Sequence, residues 1–104
     1  MHLNKDTEIY ASFSKKAGNN GCIVFNNAFM FYNMNAVYKS FSVSDISNAV
    51  QGALALGFKG FAVSSPYKTH VSILCLNSSD EVLEIGSANT VVIKDGEATT
   101  YNTD

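Results

Sequence analysis

The sequence predicts an α/β fold: a three-layer sandwich on a mostly parallel sheet, with an antiparallel strand near a C-terminal hairpin. Three observations carry that reading. Residues Thr7 to Ser14 place Ile9, Ala11 and Phe13 at period two, the spacing of a half-buried strand. Ile46, Ala49, Val50, Ala53 and Leu54 recur at helical spacing and form an apolar stripe that must lie on a sheet. Lys59 to Ser64 is a nearly unbroken apolar run beside glycine, as a strand covered on both faces reads. Strands alternating with helices and then a hairpin define the class.

In chain order, the first strand is followed by KKAGNNG, a loop by composition in which Gly18 and Gly21 tolerate positive φ. Cys22 to Tyr32 is apolar nearly all round except for Asn26 and Asn27, which predicts a helix buried on much of its circumference. Asn33 to Val43 is β-branched and aromatic enough for a second strand. A helix then spans about Asp45 to Leu56, with Ser44 capping its free N–H groups and Gly57 closing it. After the Lys59 to Ser64 strand, Ser65 and Pro66 read as a cap and first helical residue, and Val71, Leu74 and Cys75 as the inner face. Ser78 with Glu81 matches a capping box before the short helix DEVLEI. Thr90 to Ile93 and Ala98 to Tyr101 are expected to pair across an Asp95-Gly96 turn.

At 104 residues the chain is expected to form one domain with a modest core. A hydrophobic fraction of 46% against 15% charged residues argues for a globule rather than disorder. The net charge is −2 with no basic run, so no nucleic-acid partner is expected. The polar start MHLNKDTE and the lack of any long apolar segment predict a cytoplasmic protein with no membrane contact. Cys22 and Cys75 lack CxxC spacing and read as small core residues, while His2 and His70 have no partner at metal-ligand spacing.

Lys68 and Asp104 are the suggestive pair for chemistry. Lys68 falls at about the third position of its helix, where the dipole and free N–H groups disfavour a second positive charge, and a carboxylate would hold it. Taken alone, the two residues read more readily as a solvated lysine and a frayed terminal aspartate. Ser12 and Ser14 share one strand face and with Ser64 offer hydroxyls to a small anion, although serines at strand ends also satisfy backbone groups. GNNG has neither the GxGxxG spacing nor the lysine of a phosphate loop.

Three segments, AVSSPYK, SANTVV and the terminal YNTD, stand in an order and spacing that resemble the N-terminal substrate-binding domain of shikimate dehydrogenases, where the signatures read roughly NVTxPHK, GAVNTV and YNTD. The resemblance spans essentially all of residues 1–104, including LNKDT, SFS, NAVYKSF and ALGFKGFAVS, and is nearest to the shikimate dehydrogenase-like subgroup. It implies an NADP-dependent oxidoreductase that interconverts 3-dehydroshikimate and shikimate or a related, quinate-like hydroxylated ring acid, within aromatic amino acid biosynthesis. It implies a catalytic lysine–aspartate pair at Lys68 and Asp104. Ser12 and Ser14 match serines that bind the substrate carboxylate, Ser64 matches the hydroxyl residue of NVT, and Asn89 matches an asparagine that contacts ring hydroxyls.

Several positions depart from the pattern. Ala62 stands for the asparagine of NVT, Lys15 for a proline after SxS and Phe25 for a histidine in the first helix, and the loop from Lys15 to Gly21 is rebuilt. A lost buried hydrogen bond costs on the order of 1–3 kcal/mol, enough to change which acid fits. Family members continue past YNTD into a nucleotide-binding Rossmann domain. None is expected within residues 1–104, so NADP is expected to find no site on this chain and turnover by the chain alone is not expected. The alternative is a stand-alone, non-catalytic small-molecule binding or regulatory module, and a domain facing no second one is expected to self-associate as a homodimer.

Overall fold

The computed structural model describes residues 2–74 and 77–104. Ten elements follow in order: β1 (Glu8–Ser14), α1 (Asn20–Phe31), β2 (Ala36–Ser42), α2 (Ile46–Leu56), β3 (Gly60–Val63), α3 (Lys68–Leu74), β4 (Asn77–Ser78), α4 (Asp80–Ile85), β5 (Thr90–Lys94) and β6 (Glu97–Tyr101). The strands form one sheet in the order β2-β1-β3-β5-β6-β4. β1 runs parallel to β2 and β3, β6 is parallel to β4, and β5 is antiparallel to both of its neighbours. The α/β class and the antiparallel strand near the C-terminal hairpin are as the sequence predicts.

Period two decides which side of the sheet is dry. Ala11, Phe13, Phe61, Val63, Val91, Ile93 and Ala98 point to one face and join Ile46, Val50 and Ala53 of α2, Val71 of α3 and Val82 of α4 in a single core. The Phe13 and Phe61 rings meet there at 4.6 Å between centroids. The opposite face carries Tyr10, Ser12 and Ser14, and α1 lies against its outer end, on β2. Between α1 and β5 this face opens as a cleft of about 800 Å³, lined by Tyr10, Phe25, Phe29, Tyr38, Ala62 and Val92 among others.

Several local expectations change. α1 has no buried residue, and Ile23, Val24, Met30 and Phe31 are exposed, because a helix at the rim of a sheet has one neighbour and an apolar sequence does not supply a second. Its inner side meets the edge strand through polar groups: the Asn26 amide donates to the Tyr38 C=O and accepts from the Tyr38 N–H, both at 2.8 Å, and the Ser40 N–H donates to Cys22 Sγ at 3.3 Å. β2 begins three residues later than expected, after Asn33 takes a φ of 52° in the connecting turn.

The α2 cap is Asp45, not Ser44; its carboxylate accepts the Asn48 N–H at 3.0 Å, and Gly57 closes the helix at a φ of 75°. Ser65 and Pro66 form a turn ahead of α3, in which the Tyr67 N–H donates to the Ser64 C=O, so the helix opens at Lys68 rather than at proline. Val71 is fully buried, Leu74 is exposed, and Cys75 lies outside the described residues. Ser79, not Ser78, stands at the N-cap of α4, because Ser78 is taken into the ladder of β4 with β6. The Asp95-Gly96 turn has both residues at positive φ, as a two-residue hairpin requires.

Candidate active site at the sheet end

The strand directions gather the site. β1, β3 and β6 all finish at one end of the sheet, and the antiparallel β5 starts there. Ser14, Ser64, Asn89 and the tail after Tyr101 therefore come from four different strands to a single rim. Strand ends of this kind are where an α/β sheet leaves polar groups unpaired.

Asn89 is fixed through its backbone: its C=O accepts the Val63 N–H at 2.9 Å and its N–H donates to the Tyr101 C=O at 3.0 Å. The adjacent Ala88 N–H donates to the Lys68 C=O at 3.0 Å, which ties the start of α3 to the start of β5. From that base Lys68 Nζ donates to Asp104 Oδ2 at 2.6 Å. The Lys68 side chain is 27% exposed and that of Asp104 61%, so the ammonium is the sheltered partner. Asp104 Oδ1 accepts from Asn89 Nδ2 at 3.0 Å. Lys68, Asn89 and Asp104, separated by up to 36 positions in sequence, thus form one hydrogen-bonded group.

The electrostatics follow from these contacts. The Lys68 hydrogen bond and charge hold the Asp104 carboxyl below the usual carboxylate range; burial opposes them slightly and the Asn89 amide adds to them. An ammonium held in one place by a carboxylate is a positioned proton source, and its conjugate amine a positioned base.

Ser12 and Ser14 sit on the open face of β1, half-buried, as the alternation predicts. Ser64 is exposed beyond the end of β3, its N–H donating to the Phe13 C=O at 3.2 Å. Among the described residues no direct hydrogen bond joins these three side chains to Lys68, Asn89 or Asp104; Ser14 and Ser64 stand at the ends of neighbouring strands and Ser12 two residues inside β1. Ala62 is the neighbour of Ser12 across the ladder and lines the open cleft, and Phe25 stacks on Tyr38 at 4.7 Å. That cleft lies along the bare sheet face, with Lys68 and Asp104 outside its lining.

Sequence reasoning missed the groups that steady this rim. Thr103 Oγ1 accepts from Asn89 Nδ2 at 2.9 Å, and the Thr103 N–H donates to Asn89 Oδ1 at 3.0 Å. Asn102 Oδ1 accepts the Asp104 N–H at 2.9 Å, while its Nδ2 donates to the Ser87 C=O at 3.1 Å. The density of Asn, Ser and Thr in SANTVV and YNTD was the available signal. Among the described residues no group of three or more His, Cys, Asp or Glu gathers as a metal site, and no helix is long and apolar enough to cross a membrane.

Comparison with known proteins identifies the family. A family model described as the shikimate dehydrogenase substrate binding domain matches residues 19–91. A shikimate dehydrogenase-like protein from Haemophilus influenzae is 37% identical over 106 residues, covering 98% of this chain and 38% of that protein. A shikimate dehydrogenase (NADP(+)) from Pyrococcus abyssi is 34% identical over 98 residues, covering 93% of this chain and 37% of the relative. The crystal structure of shikimate 5-dehydrogenase from Listeria monocytogenes in complex with shikimate and NAD superposes with a TM-score of 0.88 at 28% identity, covering 96% of this chain and 36% of that one. The chain therefore spans under two-fifths of the length of these relatives. With a matching family model over most of its residues and the same fold, it belongs to the family of shikimate dehydrogenase substrate binding domains.

Proposed function

We propose that the chain is the substrate-holding part of a shikimate dehydrogenase-type oxidoreductase acting on shikimate, 3-dehydroshikimate or a closely related hydroxylated ring acid. The observation that carries this reading is the 2.6 Å contact of Lys68 Nζ with Asp104 Oδ2 on the rim that also presents Ser12, Ser14 and Ser64. The serine hydroxyls suit the substrate carboxylate, to which they donate. Lys68 handles the proton of the reacting oxygen. In the reducing direction its ammonium gives a proton to the ketone oxygen and becomes an amine; in the oxidising direction the amine takes the hydroxyl proton back. Asp104 keeps the nitrogen in place.

When bound, the reduced nicotinamide cofactor would supply the hydride in the reducing direction and its oxidised form, NADP+, would accept it in the oxidising one. None of the residues described above is assigned to holding it. Ala62 removes a polar neighbour beside Ser12, so the family substrate loses one contact and an acid less hydroxylated at that position gains relative affinity.

The test is a map of where substrate lands. Adding shikimate to the isotopically labelled chain should move the backbone NMR signals of Ser12, Ser14, Ser64, Lys68 and Asn89 and leave Phe25 and Phe29 in the open cleft unmoved. Movement confined to the cleft, or undiminished movement in Lys68→Met, overturns the assignment.

A further inference from the structure

α1 presents two apolar stripes, and the sheet covers one of them. Cys22, Phe25, Asn26 and Phe29 face the strands: Cys22 and Asn26 bind the backbone of β2, Phe25 stacks on Tyr38, and the Phe29 ring lies 5.6 Å from that of Tyr10. Ile23, Val24, Asn27, Met30 and Phe31 recur at i, i+1, i+4, i+7 and i+8 and so form the opposite stripe. Its apolar members are 58–82% exposed. A helix that is apolar all round is ordinarily covered all round.

Three properties of the outer stripe point to its cover. It carries no charge: from Ala17 to Tyr38 there is no Asp, Glu, Lys, Arg or His, so the face has nothing to attract a polyelectrolyte or an anionic bilayer and nothing to repel its own copy. With the equally exposed Tyr32 it offers roughly 600 Å² on each chain, so a pair hides roughly 1,200 Å², the lower end of specific interfaces. It is also symmetric in sequence. Asn27 stands at its centre, with Val24 and Met30 three positions away on either side and Ile23 and Phe31 four. Unlike Asn26, whose amide is occupied by Tyr38, Asn27 is exposed, and an amide, which both donates and accepts, is its own complement.

We propose that a second copy of this chain covers the stripe, the two α1 helices packing antiparallel about a two-fold axis at Asn27. Val24 then meets the partner's Met30, Ile23 meets the partner's Phe31, and the two Asn27 amides pair, each donating an N–H to the other's oxygen. The amide pair fixes the register, because a slip by one turn would bury each amide against apolar side chains. An interface of this size gives a weak, concentration-dependent dimer. The edge of β2 and the open cleft meet the inner stripe and take no part.

Sedimentation of the chain over a wide range of concentration tests the proposal. The unaltered chain should pass from monomer to dimer as its concentration rises. Asn27→Asp and Asn27→Lys each set two like charges on the axis and should weaken dimerisation about tenfold or more, while an equal mixture of the two variants should dimerise again through the opposite charges. Position 27 is exposed, so both variants keep the fold. A chain that stays monomeric, a variant that pairs with itself as tightly as the unaltered chain, or a mixture that associates no better than its components overturns the proposal. Monomers that bind phosphatidylcholine vesicles would assign the stripe to a lipid surface and overturn it too.

Discussion

The Asp104 carboxylate receives an ammonium on one oxygen and an amide on the other. Both contacts favour its ionised form, and Lys68 is the larger influence. A carboxyl titrating lower in the folded chain than in the unfolded one gives stabilisation that is present above its unfolded value and lost as pH falls through the folded one. Acid should therefore release Lys68 from Asp104. Because Asp104 is on the surface, the release should leave the fold standing, and Lys68→Met should likewise leave the urea unfolding midpoint unchanged while Asp104 titrates higher. A large loss of stability in Lys68→Met would make the pair a structural bridge. At this scale the sequence showed Lys68, Asp104 and Asn89 as residue types in motifs. It did not show that the Asn89 amide meets Thr103 and Thr90, because that depends on the antiparallel entry of β5 next to the exit of β6.

At the scale of elements, α1 deals with the problem of a sheet edge. β2 ends the sheet and would offer its outer N–H and C=O groups to any strand that approached. Asn26 occupies both groups of Tyr38, Cys22 Sγ accepts the Ser40 N–H, and Lys39 Nζ donates to the Ser40 C=O at 3.2 Å. Asn26→Ala should cost about 1–3 kcal/mol, the range for leaving hydrogen-bonding groups without partners, and should promote concentration-dependent association through the freed edge. Urea unfolding and sedimentation measure the two effects; a stable, strictly concentration-independent variant would show that the edge needs no such cover. The two asparagines were visible in the sequence as the polar break in an apolar helix, yet the break reads as a solvent face. Side chains pairing with a strand's backbone leave no periodic trace. β4 was also illegible, since two residues are too few for any pattern, and taking Ser78 into the sheet moved the cap of α4 by one residue.

For the whole molecule, the alternation of Ala11 and Phe13 with Ser12 and Ser14 already separated a dry face from a wet one, and the fold keeps that division from β1 through β6. The class and the core side of β1 and α2 were legible for that reason. The open cleft along the other face was not, because local composition does not report what covers a sheet. The central claim concerns the rim, where hydroxyls, a lysine and a carboxylate converge on a hydroxylated acid. Calorimetric titration of the chain with shikimate tests it most directly. Saturable single-site binding, weakened about tenfold or more by Ser14→Ala as expected for loss of a buried hydrogen bond to a charged group, and weakened also by Lys68→Met, is the predicted result. Absence of binding, or equal affinity in the chain and both variants, would contradict it.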